Sequence, residues 1–208
     1  MISRLVKRAL DLSASLVLAL LLAPLLFGIS AAIALSDGRP IFYRQRRVGR
    51  YGKQFDIVKF RTMRSANQTS SANQASPVTL GENDDRITKI GMKLRRRRLD
   101  ELPQLLNVIK GEMSLVGPRP EALKIYQETR ERYSDDWRKV LTVRPGVTGP
   151  DALLFKDEGL RLTAAEDPVA YYKEVILPEK LAVQKGYVRE RSLGLDIKTL
   201  LRTVRILS

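Results

Sequence analysis

Apolar residues are distributed along this chain in three patterns, and each predicts a different kind of element. From Leu12 to Leu35 no charged residue occurs over 24 positions, a helical run of roughly 36 Å at ~1.5 Å per residue. Between Arg39 and Met63 the apolar positions come in short pieces, Ile41-Phe42-Tyr43 and Phe55-Asp56-Ile57-Val58, separated by Gly49 and Gly52. Short pieces bounded by glycine predict a small β-hairpin. Beyond it a period near 3.6 takes over. Ile87, Ile90 and Leu94 predict a helix over 87–99 with a basic face. Asp100 can cap a second helix, with Pro103 tolerated in its first turn and Gly111 just past its end. Residues 121–140 read as one charged amphipathic helix, and 169–190 as a helix interrupted at Pro178. Between them, Arg144 to Pro150 is a turn-rich loop. In the tail, Leu193, Ile197, Leu200, Leu201 and Val204 recur at helical spacing with Lys198, Arg202 and Arg205 interleaved. That pattern suits a helix lying among lipid headgroups, or equally one packed on a core. Residues 65–85 are rich in Ser, Asn and Gln and are expected to be mobile, as a flap over a site.

The uncharged run is long enough to cross the ~30 Å hydrocarbon core of a bilayer, but two details favour another arrangement. Pro24 sits at its middle, where its ring and missing N–H kink a helix. Both flanks are basic: Arg4, Lys7 and Arg8 before it, then Arg39, Arg44, Arg46, Arg47, Arg50 and Lys53 after it. A spanning helix should show Lys and Arg mainly on its cytoplasmic side. A re-entrant hairpin, dipping in and returning, explains both. A cleavable signal is the third reading, because Ala32-Ile33-Ala34 resembles a cleavage site. The long apolar stretch before it and the positive charge after it oppose export. The expected organisation is therefore a membrane hairpin over 1–36 and a domain over 37–208 lying on the membrane surface. The fold class is α+β, mostly helical, with a small β-hairpin, a Pro-broken re-entrant helix and interfacial amphipathic helices.

Composition narrows the chemistry. The net charge is +14 over 208 residues, from 37 Lys and Arg against 23 Asp and Glu. Such an excess favours nucleic acid, anionic lipid or phosphorylated small molecules as partners. There is no cysteine and no histidine. Thiol nucleophiles, Cys-based zinc and imidazole acid–base chemistry are thereby excluded, and a metal held by carboxylates would be a hard ion such as Mg²⁺.

The densest chemistry lies between Arg95 and Pro120. Four arginines, Arg95 to Arg98, precede Leu99-Asp100-Glu101-Leu102-Pro103-Gln104, and Ser114-Leu115-Val116-Gly117-Pro118-Arg119-Pro120 follows. Adjacent carboxylates at a helix start beside cations are an arrangement for phosphate. The arginines should keep Asp100 ionised. An ionised carboxylate is a competent nucleophile toward phosphorus, and Mg²⁺ would cancel its repulsion with an anionic phosphate. The plain alternative is that Asp100 is a cap and the arginines a solvated face. Lys59 and Arg61, two apart on one strand, offer paired cations. Arg119 and Arg144 each sit in a proline-rich turn where a guanidinium fork can grip phosphate.

Four segments in combination resemble the bacterial sugar transferases, the monotopic polyprenyl-phosphate phosphoglycosyl transferases. They are Lys59-Phe60-Arg61-Thr62-Met63, Leu99 to Gln104, Asn107 with Lys110 to Pro120, and Arg144-Pro145-Gly146-Val147-Thr148-Gly149. The resemblance covers nearly the whole chain, in order, including the Pro24-broken hairpin, although Ala23 stands where many members have serine. It implies transfer of a sugar-1-phosphate from a UDP-sugar to undecaprenyl or another polyprenyl phosphate, with release of UMP. By the same resemblance this would be the first membrane step of an exopolysaccharide, lipopolysaccharide O-antigen or glycoprotein pathway, at the cytoplasmic face of the inner membrane. It further implies Asp100 as the nucleophile carrying the phosphosugar, Asp100 and Glu101 as the Mg²⁺ carboxylates, and Lys59, Arg61 and Arg119 as phosphate-binding groups; Arg144, ahead of its proline-glycine turn, is a fourth candidate for phosphate. Membrane lipids are the other expected partner, with a homodimer left open. Pro150-Asp151-Ala152-Leu153-Leu154-Phe155-Lys156-Asp157-Glu158 departs from the family's Ala-Gln-Val-Asn-Gly-Arg-like stretch, which leaves the donor contacts made there undefined. Two rival readings are a membrane-tethered nucleic-acid binder and a non-catalytic scaffold. Against the first, and for no nucleic-acid partner, aromatic residues are 6% of the chain and form no stacking platform.

Overall fold

The computed structural model describes residues 4–64, 84 and 86–207; the expected flap at 65–85 thus lies, Asp84 apart, outside the described residues. The uncharged run forms two helices, α1 (Arg4–Leu21) and α2 (Ala23–Ser36), with Pro24 in the first turn of α2. Proline is tolerated there because a first-turn N–H has no helical partner. The two axes bend by 61° at the break, and neither helix alone is long and apolar enough to cross a membrane.

The outer ends of this bent pair rest on the rest of the chain. In α1, Arg8 donates to the carbonyls of Val108 and Ile109 at 2.5 and 2.9 Å. Asp11, buried, accepts from Ser114 Oγ at 2.6 Å. In α2, Ile29 and Ile33 pack against Phe60 and Leu94. Near the bend, by contrast, Leu20, Leu21 and Phe27 are 71–77% exposed.

Strands β1 (Phe42–Val48) and β2 (Gln54–Phe60) form the antiparallel hairpin, with Lys59 opposite Tyr43. The strands are longer than the apolar pieces predict, because Arg44, Arg46 and Arg47 continue the ladder of β1. Helix α3 (Lys89–Arg96) starts at Thr88, whose Oγ1 accepts from Gly91 N at 2.9 Å. The chain then reverses through Arg98, at φ 50 and ψ 22, into a 3₁₀ turn over Leu99–Gln104 and α4 (Leu105–Lys110). Asp100 is therefore not the cap it was expected to be. It lies inside the 3₁₀ turn that Pro103 favours, since proline supplies no N–H for an α-helical bond. Gly111, at φ 87, closes α4 as expected.

A second sheet was not foreseen. β3 (Ser114–Val116) pairs in parallel with β4 (Gly146–Thr148), which read as a loop in the sequence. The expected helix 121–140 divides into α5 (Leu123–Thr129) and α6 (Ser134–Val140). Ile125 and Trp137 share one core, yet twelve residues of continuous helix would point them about 120° apart; the break re-aims α6. After α7 (Pro150–Leu154) and α8 (Glu158–Thr163) come α9 (Pro168–Tyr171), a π turn over Tyr172–Ile176, and α10 (Leu177–Glu190). Pro178 does not interrupt this helix, because the wider turn before it absorbs the missing donor. In α11 (Leu193–Leu207) the face turned inward carries Asp196 and Thr199, whereas Leu193, Ile197, Leu201 and Val204 are 37–67% exposed. Leu200 is half-buried, so only the outer part of the apolar stripe is left uncovered.

Candidate active site

The site is assembled by three tight backbone devices. Asn107 pins α4 to β2: its Oδ1 accepts from Val58 N at 3.1 Å and its Nδ2 donates to Asp56 O at 2.8 Å. This brings Lys59 to the 3₁₀ turn. The Pro118-Arg119-Pro120 turn is held by Asp151, whose carboxylate accepts from Arg119 N at 3.0 Å and from Gln184 Nε2 at 2.6 Å. Finally, Gly117 and Gly146 approach so closely that a Cβ on Gly146 would stand 2.1 Å from Gly117 N.

These devices bring Lys59, Asp100, Glu101 and Arg119 to one cavity of about 300 Å³. Glu101 is fully engaged. Its Oε1 accepts from Lys59 Nζ at 2.7 Å and from Arg119 Nη2 at 2.5 Å, and its Oε2 from Arg119 Nη1 at 3.3 Å. Burial opposes its charge, but Arg119 and Lys59 together outweigh it and hold the carboxyl well below the usual carboxylate range. Asp100, next to it, is 8% exposed, and its carboxylate makes no hydrogen bond or ion pair with any described residue. Burial pushes its pKa up, the Lys59 charge pulls it back and the Glu101 charge pushes it up again; the net is above an ordinary aspartate. Of the four arginines, only Arg95 and Arg98 line the cavity, so the expected basic field is weaker than the sequence implies. Asp100 is a desolvated carboxylate with free oxygens, facing cations that another anion already neutralises in part.

The other wall comes from residues the sequence reading missed. Arg47 reaches in from β1. Tyr172, on the π turn, donates its hydroxyl to Glu121 at 2.5 Å, and Lys180 bridges Tyr172 Oη at 3.1 Å and Glu158 Oε2 at 2.8 Å. Burial first, and Glu121 next, drive the Tyr172 pKa well above its usual value. No local pattern marks these positions; a π turn, frequent at functional sites, is visible only in the structure. Ala152, Phe155 and Lys156, from the segment that departs from the family pattern, also line this wall.

Two residues expected to bind phosphate lie elsewhere. Arg61 is buried and gives its guanidinium to the carbonyls of Asp37, Gly38 and Arg39 at 2.6–3.1 Å. β2 ends at Phe60, so the two-residue alternation that would align Arg61 with Lys59 stops short. Arg144 donates Nε to Gly111 O at 2.8 Å and borders a different cavity. For the metal, no group of three or more acidic side chains is placed to hold an ion among the described residues. Glu101 has both oxygens occupied, which leaves Asp100 as the free carboxylate. That suits Mg²⁺ bound mostly by phosphate and water oxygens, with Asp100 the readier of the two expected carboxylates to hold it.

Comparison with known proteins places these features in context. The family model described as bacterial sugar transferase matches residues 2–208. The chain is 36% identical over 204 residues to the UDP-glucose:undecaprenyl-phosphate glucose-1-phosphate transferase of Escherichia coli K12, covering 98% of this chain and 40% of that protein. It is 38% identical over 198 residues to the protein of the same name from Caulobacter vibrioides, covering 95% of this chain and 68% of the other. It is 35% identical to the exopolysaccharide production protein ExoY of Rhizobium meliloti, covering 95% of this chain and 83% of that protein. The chain thus spans well under half the length of the Escherichia coli relative.

Proposed function

Because the chain belongs to the bacterial sugar transferase family, we propose that it moves a sugar-1-phosphate from a UDP-sugar to undecaprenyl phosphate through a covalent intermediate on Asp100. The relatives' names supply the substrate pair. The observation that carries the mechanism is the Asp100 carboxylate, nearly buried, without a partner among the described residues and facing a cationic cavity.

In the first half-reaction an Asp100 oxygen attacks the phosphorus that bears the sugar. A bond forms from that oxygen to phosphorus, the phosphorus–oxygen bond to the bridging oxygen breaks, and UMP leaves with the bonding pair. In the second, a phosphate oxygen of the polyprenyl acceptor attacks the same phosphorus, and the acyl-phosphate bond breaks to return the carboxylate. Desolvation serves this chemistry, because a carboxylate stripped of water and raised in basicity is a stronger nucleophile. Arg119 and Lys59 grip phosphate oxygens while Glu101 holds both cations in place. Mg²⁺, bound by Asp100 and the diphosphate, would neutralise charge between attacking and attacked groups.

Membrane placement follows the same reasoning. Arms of 18 and 14 residues bent by 61° put the apex only about 12 Å from the line joining their ends, less than the ~15 Å of one leaflet. With both ends docked on the same body, a re-entrant hairpin fits better than a spanning helix. The exposed apolar stripe of α11 lies at the interface beside it. Nucleotide sugars place the working face in the cytoplasm.

The test is a quenched reaction of the full chain with UDP-sugar and Mg²⁺, without acceptor, read by intact-protein mass spectrometry. A hexose-phosphate adduct mapping to Asp100, with one equivalent of UMP released and neither seen in Asp100→Asn, is the expected result. Acceptor-dependent turnover with no adduct would overturn the covalent route.

A further inference from the structure

A second cationic cavity lies apart from Asp100 and shares no lining residue with the first. It measures about 70 Å³. A single water needs about 10–15 Å³, so it has room for a group the size of a phosphate. Its walls are the start of α1, the turn after β1, the loop before β4 and the start of α11. Five basic residues border it, Arg4, Lys7, Arg50, Arg144 and Arg191, against two carboxylates, Asp11 and Asp196.

The carboxylates are already neutralised. Lys7 Nζ stands 2.9 Å from an oxygen of each, Ser114 donates to Asp11, and the Tyr187 hydroxyl donates to Asp196 at 2.8 Å. The guanidinium groups are not. Arg50 bonds the Thr142 carbonyl and the Tyr51 hydroxyl, and among the described residues Arg4 reaches only that same hydroxyl, at 3.4 Å. Arg144 uses Nε alone, on Gly111 O. Arg191 makes no hydrogen bond among the described residues. Five cations against two carboxylates that Lys7 already bridges leave four guanidinium groups around one concavity in excess of negative charge, and that excess attracts an anion. Burial lowers the pKa of Arg144 most, the charges of Arg8 and Arg50 lower it further, and Asp11 opposes them.

The surroundings name the source of that anion. The uncharged run begins one residue beyond Asp11, and α1 exposes Leu5 and Leu10. On the other border α11 exposes Leu193 and Ile197. We propose that this cavity is a headgroup site for an anionic phospholipid, its phosphate held by Arg4, Arg50, Arg144 and Arg191 and its chains lying along the apolar sides of α1 and α11. The site works in binding, not in the transfer step: it orders one lipid at the junction of hairpin and domain.

The test uses the full chain in non-ionic detergent and follows thermal unfolding with dihexanoyl phosphatidylglycerol, dihexanoyl phosphatidylcholine or inorganic phosphate. Phosphatidylglycerol should raise the midpoint saturably, by about 5 °C or more near a hundredfold excess over its dissociation constant. The other two should not do so at equal concentration. The shift should vanish in Arg144→Gln and in Arg191→Gln, and persist in Arg119→Gln, since Arg119 does not line this cavity. Arg191→Gln decides the matter if Arg144→Gln misfolds, since Arg191 holds no described part of the chain. A shift that survives Arg191→Gln, or is lost in Arg119→Gln, overturns the site. An equal shift with inorganic phosphate overturns the lipid as its ligand.

Discussion

Removing the charge of Glu101 separates two roles for that residue. Glu101, Lys59 and Arg119 have side-chain exposures of 11%, 17% and 29%, so the cluster is mostly but not wholly desolvated. Breaking a buried ion pair from one side costs about 3–5 kcal/mol, because the remaining charge is left uncompensated. Solvent reaching Arg119, and the hydrogen bond an amide can still accept, reduce that to about 2–3 kcal/mol for Glu101→Gln. For a chain of this size the loss is a fall of about 4–12 °C in unfolding midpoint, measured by circular dichroism on the full chain in detergent. The pH dependence has a definite sign. The folded pKa of Glu101 is depressed, so its stabilisation is fully present above the unfolded value of ~4.3 and is lost as pH falls through the folded value. The gap between wild type and variant should close only in strong acid. The double variant Lys59→Met/Glu101→Gln should lose less than the sum of the singles. In turnover, the variant should raise the KM for the donor and leave the half-saturating Mg²⁺ unchanged. A variant with an unaltered midpoint temperature but a tenfold weaker Mg²⁺ response would refute this reasoning, and would make Glu101 a metal ligand rather than the organiser of two cations.

Three further outcomes are expected. Because burial raises the Asp100 pKa and the nucleophile must be ionised, kcat/KM should fall tenfold per pH unit on an acid limb whose midpoint lies above ordinary aspartate, ~3.9; a limb at or below that value would contradict the desolvated site. Gly146→Ala should cost about 2–3 kcal/mol or prevent folding, since its Cβ would meet Gly117 N at 2.1 Å and Thr148 O at 2.4 Å and overpacking against backbone cannot relax; normal expression and melting would show the β3–β4 contact to be looser. Single cysteines at Ser3 and Ser36, in a chain that has none, should both react with an impermeant thiol reagent from the cytoplasmic face alone, and opposite-side labelling would reject the hairpin.

Local order was legible in the sequence. A proline in the middle of an uncharged run breaks a helix wherever it is buried, two glycines bounding apolar pieces make a hairpin, and Gly111 ends α4 at positive φ. These are short-range consequences of backbone sterics. Adjacency made Asp100 and Glu101 candidates too, but nothing local could say that they would play different parts. That was decided by Lys59 arriving from β2 and Arg119 from a turn held by Asp151: both cations close on Glu101 and leave Asp100 bare. Arg61 and Arg144, equal to Lys59 as sequence signals, went to backbone carbonyls and to another cavity, and Arg47, Tyr172 and Lys180 entered the site from distant elements. The physical reason is one of range. Backbone preferences act over a few residues, whereas a charge takes its meaning from whichever opposite charge folding brings within about 3 Å in a desolvated place.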